Sequence, residues 1–164
     1  MGSGHEQQVQ ATGVAWSTLA RQVTSGALER VAHGIYRVRG GETPDHLDLR
    51  AAWLQLAPAT PGWARNPEQG VVSHRSAALL YGLGHLPADV HEFTLPVRRQ
   101  TRRDDVRLHR LDLGDGECAV HRGLPVTKPA RIAADLLADR EDPGAVGEVT
   151  ADALRPATTA PAVS

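Results

Sequence analysis

Cysteine and lysine each occur once in these 164 residues, and no apolar run approaches the ~18 to 20 residues that a membrane helix requires. The single Cys118 excludes an intramolecular disulfide and fits a reducing compartment. The N-terminus carries no apolar signal-peptide region, so the expected location is the cytoplasm, with no membrane partner. The lone Lys128 follows Val126-Thr127, which removes the Glu-x-Lys element of a restriction-type two-metal nuclease. Neither His-x-x-x-His nor Cys-x-x-Cys occurs, so spacing predicts no metal site, and no cofactor is expected. His109 and His121 fall on neighbouring strand candidates where they could face each other, although scattered surface histidines are the simpler account. Gly82-Leu-Gly84 lacks the lysine and serine of a phosphate-binding loop and reads as a helix stop. Ser73 and His74 are sequence neighbours at a helix start, a poor way to set a nucleophile beside its base. No catalytic residue is assigned, and the chain is not expected to be an enzyme.

Net charge is also nearly absent, at −1, so any affinity for nucleic acid has to come from local clusters. Two exist. Between Ser17 and Arg39 four arginines stand against one glutamate, and between Arg98 and Arg110 six arginines against two aspartates. The strip Arg98, Arg99, Arg102, Arg103, Arg107 and Arg110 is a candidate second basic surface, extending a DNA footprint or meeting an acidic partner. Its alternative reading is a solvated loop in which two arginines pair with Asp104 and Asp105.

What is present near the N-terminus is a turn, a short amphipathic helix and a basic hairpin. Gly13 supplies a turn that ends one helix and starts another, and Ser17 is placed to cap the second. Leu19, Ala20 and Val23 share one helical face, while Thr18, Arg21, Gln22 and Ser25 occupy the other, with polar groups suited to base edges and phosphates. Gly26 closes this helix. Leu28 to Val31 and Ile35 to Arg39 follow as two strands joined by Ala32-His33-Gly34. Period-two alternation puts Arg37 and Arg39 on one side of this wing, where guanidinium groups can grip phosphate. The candidate DNA-contacting residues are therefore Ser17, Thr18, Arg21, Gln22, Ser25, Arg30, His33, Arg37 and Arg39. A solvated helix-hairpin unit without a DNA role is the competing reading.

Gly40 to Pro44 reads as a linker, Asp45 to Ala57 as a helix, and Ala59 to Gln69 as a loop. Ser73 caps a helix from His74 to Tyr81, stopped by Gly82. Strands are expected at His91 to Leu95, Val106 to Leu111 and Glu117 to His121. A helix starts near Pro129, and a weaker one covers Ala145 to Leu154. Residues 1–4 and the Pro-, Ala- and Thr-rich tail 155–164 are expected to be disordered. The fold class is α+β: a winged helix-turn-helix over 5–41, followed by a small α+β domain over 45–154.

Six blocks occur in order over about residues 9 to 140: Gly13-Val-x-x-Ser-Thr-Leu-Ala-Arg, Leu28-Glu-Arg-Val-Ala-His-Gly-Ile-Tyr-Arg, His46-Leu-Asp-Leu-Arg-Ala-Ala-Trp, Val72-Ser-His-Arg-Ser-Ala-Ala, Tyr81-Gly-Leu-Gly, and Gly123-Leu-Pro-Val-Thr-Lys-Pro-Ala-Arg-Ile. Together they resemble the AbiEi family of antitoxins. The resemblance implies an N-terminal winged helix that binds operator DNA and represses its own operon, joined to an α+β antitoxin domain. It also implies a partner, a nucleotidyltransferase-like toxin neutralised in type IV systems without a stable complex. Inverted-repeat operators would suit a dimer on DNA. The family pattern places a full helix before the turn at Gly13, whereas only Glu6 to Thr12 precede it here, so the winged helix is expected to lack its first helix. The alternative function is a non-DNA-binding interaction module in which that truncated winged helix is vestigial.

Overall fold

The structure, a computed structural model, describes residues 16–41 and 45–156, with the backbone alone for residues 16–19. The expected turn at Gly13, the segment Glu6 to Thr12, residues 1–4, the linker positions 42–44 and the tail from 157 lie outside the described residues. The chain divides into two compact units, residues 1–70 and 71–164. The boundary expected at the Gly40 to Pro44 linker therefore falls inside the first unit, and the helix after that linker is grouped with the hairpin.

In the first unit, α1 (Trp16–Thr24) runs into an antiparallel hairpin of β1 (Leu28–Ala32) and β2 (Ile35–Val38). Gly26, at φ +80°, lets the Ala27 amide reach Gln22 O at 3.0 Å and its own amide reach Val23 O at 3.1 Å. These paired bonds satisfy helix-end carbonyls, and only the left-handed backbone of Gly26 allows them without strain. Ser17 lies within the described part of α1, so it is not the cap that the sequence suggests. The hairpin register places Glu29 opposite Arg37 and is irregular between Arg30 and Ala32.

The helix α2 (Leu47–Leu56) buries Leu49, Ala51, Ala52, Trp53 and Leu56 and packs against β1, whose Leu28 is also buried. Arg65 holds the end of this helix. Its guanidinium donates to the carbonyls of Trp53, Leu54 and Ala57 and lies 4.6 Å above the Trp53 ring. That gives α2 the cationic C-terminal cap its own last turn lacks.

The second unit is a five-stranded mixed sheet in the order β5-β4-β3-β7-β6, formed by β3 (Val71–Val72), β4 (His91–Leu95), β5 (Val106–Arg110), β6 (Cys118–His121) and β7 (Leu124–Thr127). The pairs β3–β7 and β4–β5 are parallel, and β3–β4 and β6–β7 antiparallel. It carries α3 (His74–Tyr81), α4 (Pro129–Ala138) and α5 (Pro143–Leu154), with α4 packed against both α3 and α5. Proline stands at the first turn of α4 and α5, and the Asp142 carboxylate accepts the Ala145 amide at 2.9 Å.

The central strand β3 and its parallel neighbour β7 are those the sequence does not announce. β3 has two residues, and β7 contains Pro125, which argues against an interior strand. The sheet order also corrects the pairing considered for His109 and His121. They sit on β5 and β6, at opposite edges of the sheet. His121 instead stacks on Tyr81 at 4.2 Å and meets Leu80 O at 3.1 Å.

Candidate functional site

Two places combine polar chemistry with defined geometry. The first is the helix-hairpin of the first unit. Arg21 and Gln22 on α1 are exposed, as is Ser25 in the turn just past its end. The Ser25 hydroxyl donates to Gln22 O at 3.0 Å, so it is already engaged on the last turn of α1. The backbone of Ser17 and Thr18 lies in α1; their side chains are outside the described ones.

On the hairpin, Arg30 is exposed, with its guanidinium 3.0 Å from Nδ1 of the exposed His33. Arg37 is half-buried and ion-paired with Glu29, the residue directly opposite on β1. Arg39, just past β2, is exposed, and its amide donates to Ala27 O at 3.0 Å. Arg21, Arg30 and Arg39 are therefore the exposed cations of the helix and hairpin, while the charge of Arg37 is largely matched by Glu29.

The arginine strip lies on β5 and the loop before it. Arg98, Arg99, Arg102, Arg107 and Arg110 are exposed. Arg103 makes a two-point pair with Asp105, at 2.8 and 2.5 Å, which holds the Asp105 carboxyl below its usual range. Arg107 reaches both Asp139, at 3.6 Å, and Glu92, at 3.7 Å.

The second place is a polar layer on one face of the second sheet. Directly paired residues point to the same face, so the register aligns Thr94 with His109 and Glu92 with Arg107. Val72, Phe93, Leu108 and Val126 fall on the opposite face by the same register, and Val72, Phe93 and Val126 are fully buried. On the polar face Ser73, Glu92 and Thr94 are buried as well. Burial on that scale demands partners, and most are present. Thr94 Oγ1 donates to Ser73 Oγ at 2.8 Å, and Ser73 Oγ lies 2.9 Å from His74 Nδ1.

Ser73 heads α3 as expected, but its hydroxyl makes no cap hydrogen bond. Glu92 takes over part of that role: its Oε2 accepts the Arg75 amide at 3.0 Å, while Oε1 lies 3.1 Å from His109 Nε2. The Ser76 hydroxyl completes the join, accepting the Glu92 amide at 2.9 Å and donating to Val90 O at 3.2 Å.

His74 opens α3 at φ +53°, in the left-handed region that side-chain-bearing residues rarely adopt. Its ring lies on the His109 ring with centroids 3.6 Å apart and planes 12° from parallel. Burial pushes the His74 pKa down and the adjacent His109 adds to this, against Asp135, Glu92 and Asp139, which raise it. His74 is therefore a neutral imidazole at neutral pH. For Glu92, burial works to raise the pKa, but the His109 hydrogen bond and the Arg75 amide outweigh it and hold the carboxyl below its usual range.

Asp135, on α4, is buried and paired with Arg131 at 2.5 Å, which pushes the Arg131 pKa up. Its second oxygen, Oδ2, is buried with no hydrogen-bond partner, as is Thr127 Oγ1. Ser73 and His74 do touch, as their adjacency allows. Ser73 is fully buried, however, which closes it to a substrate. Of this layer the sequence points only to Arg107, as part of the arginine strip; the separation of the other residues along the chain hides the pairing of β4 with β5. The alternation Val106-Arg107-Leu108-His109 was the one local sign that His109 shares a polar face. No protein-family model matches the chain, and no curated protein matches it.

Proposed function

We propose that the chain is a DNA-binding transcriptional autorepressor whose first unit is a winged helix-turn-helix and whose second unit acts as the antitoxin against a nucleotidyltransferase-like toxin, as the resemblance to AbiEi antitoxins implies. The observation that carries the DNA reading is the succession of α1 and a hairpin through the Gly26 turn, with Arg21 and Gln22 exposed on the helix and Arg30 and Arg39 on the wing. In this reading α1 lies in the major groove. Arg21 and Gln22 meet base edges there, and Arg30 and Arg39 meet the flanking phosphates. The antitoxin role rests on the resemblance alone.

The test is an electrophoretic shift series with full-length protein on the DNA upstream of its own gene, against random DNA of equal length. Preference for the upstream DNA by a factor of about 10³ or more supports specific binding. Equal affinity for both would refute it. A second reading, an interaction module with a vestigial winged helix, is favoured by the Glu29–Arg37 pair, which takes one wing cation away from phosphate. That reading expects no DNA binding even at low salt.

A further inference from the structure

We propose that the open edge of β5 binds an acidic, extended segment of a partner protein, which joins the five-stranded sheet as a sixth strand. The sheet ends at β5, whose one strand neighbour is β4. Parallel strands bond through alternate residues, and two bonds fix which residues these are. The His91 amide donates to Asp105 O at 2.8 Å, and the Leu111 amide to Leu95 O at 3.0 Å. With His91 opposite Val106 and Leu95 opposite Arg110, the amides and carbonyls of Arg107 and His109 face β4. Those of Val106, Leu108 and Arg110 point the other way, where no strand meets them among the described residues. Val106 is buried at the start of this edge, but Leu108 is half-buried and Arg110 exposed. A row of donors and acceptors at strand spacing is therefore left without a ladder partner.

The charge on that side of the sheet is positive. Because β4 and β5 are parallel, loop 96–105 has to return the length of the strand before it enters β5. It carries Arg98, Arg99 and Arg102, and Arg110 ends β5. All four are exposed, and their side chains make no hydrogen bond or ion pair among the described residues. The other two arginines of the strip are committed, Arg103 to Asp105 and Arg107 to Glu92 and Asp139. Exposed Asp104 and Asp112 offset only part of the free charge. Two arginines thus hold the protein's own carboxylates, and four are left for those of another molecule.

The edge and its basic flank together select the partner. Phosphates only accept hydrogen bonds, so duplex DNA would leave the outward carbonyls of Leu108 and Arg110 without donors, whereas a peptide backbone answers both amides and carbonyls. Charges along an edge strand also discourage pairing between copies, since like charges are brought together. An acidic strand is the one this edge attracts. On one face the added strand lies beside Leu108, and on the other beside Arg107, which is 61% exposed. Alternating aliphatic and acidic residues fit that surface.

The test uses full-length protein and an end-labelled peptide of about ten residues, alternating Glu and Val, followed by fluorescence anisotropy at low salt. A peptide of Glu-Pro-Pro repeats with as many glutamates keeps the charge, but two residues in three lack an amide donor, so it cannot form a ladder. The Glu-Val peptide should bind at least about tenfold more tightly. Replacing Arg98, Arg99 and Arg102 together by alanine should weaken its binding by about tenfold or more. Arg110→Pro and Arg110→Ala lose the same charge, but only the first removes the outward amide, at an edge position where proline is tolerated. Arg110→Pro should therefore bind the peptide more weakly than Arg110→Ala. Equal affinity for the two peptides, or of the two Arg110 variants, would overturn strand addition. No peptide binding up to about 1 mM would also overturn it and leave the arginines as guards of the edge. Loss of DNA affinity in the triple variant, with peptide affinity unchanged, would assign the strip to DNA instead. If Arg110→Pro fails to fold, amide exchange in the unaltered protein decides. The Leu108 and Arg110 amides should slow when the Glu-Val peptide is added, and unchanged rates would count against the proposal.

Discussion

His74 and His109 stack ring on ring at 3.6 Å, although 35 positions separate them in the chain. A charge on the buried His74 ring at that spacing is opposed by burial and by its neighbour, so the contact favours the neutral form of His74. The His74 pKa lies below its unfolded value of 6.5, with burial as the main cause. The unfolded chain thus binds the proton more readily. The stability tied to His74 is full above about pH 6.5 and is lost as the pH falls toward the folded pKa. The denaturation midpoint read by far-UV circular dichroism should fall from pH 7.5 to pH 5, and His74→Asn should flatten that window. Glu92, also lowered, adds a further loss only below its unfolded value of 4.5. All three tryptophans lie in the first unit, so their fluorescence reports that unit, while far-UV circular dichroism reports both. A dichroism midpoint that does not move between pH 7.5 and pH 5 would contradict the assignment.

The local layers of this structure were legible because local chemistry determines them. Gly26 and Gly82 end helices where the sequence places them, and Pro129 opens α4 as its fixed φ dictates. The strands β4, β5 and β6 appear within a residue of their expected ends. What could not be read was pairing between distant segments. Val71-Val72 is too short to show a period, so the strand that sets Ser73 beside Thr94 on β4 is hidden, and Pro125 separately masks β7. The polar layer followed them into obscurity. The Arg37–Glu29 pair was missed for a different reason: alternation says which residues share a face, but only the register says which stand opposite.

Gly84 is a point where α5 comes too close to admit a side chain. At φ +61°, an added Cβ would lie 2.7 Å from Val149 Cγ2, and the Gly84 amide donates to Asp152 Oδ2 at 2.8 Å. Gly84→Ala combines backbone strain with overpacking against fully buried Val149 and should cost about 1 to 3 kcal/mol. Gly82 also has positive φ, but the space around its Cβ is open, so Gly82→Asn should cost under about 1 kcal/mol. Urea unfolding of the two variants by circular dichroism separates crowding from backbone strain. Equal losses would mean that the Val149 contact is immaterial.

The wing arginines should not contribute equally to DNA binding. Arg39→Ala removes an exposed cation and should weaken upstream and random DNA alike, flattening the salt slope by about one unit. Arg37→Ala should change the slope less, because Glu29 already opposes that charge. Glu29→Gln makes the complementary case: releasing Arg37 should tighten non-specific binding. Arg21→Ala should cost about 1 to 3 kcal/mol on the upstream DNA and blunt its preference over random sequence. Fluorescence anisotropy at several salt concentrations measures all four variants. The division of roles between helix and wing fails if Arg21→Ala and Arg39→Ala lower both affinities by the same factor.

The position of the unit boundary decides where the chain can be cut. A fragment beginning at Thr43 retains α2 but not β1, so Trp53, Leu49 and Leu56 lose the buried Leu28 side of their packing. A fragment beginning at Val71 removes the whole first unit and keeps every strand of the five-stranded sheet with α3, α4 and α5. The Val71 fragment should therefore unfold cooperatively, whereas the Thr43 fragment should carry a loosely packed α2, visible as faster amide exchange in that helix. If the second unit is the antitoxin, the Val71 fragment should also restore growth beside an adjacent nucleotidyltransferase-like toxin while leaving a reporter under its own promoter unrepressed. Rescue confined to the full-length chain, with the Val71 fragment shown to be folded, would mean that antitoxicity needs the first unit and that the two functions are not separable.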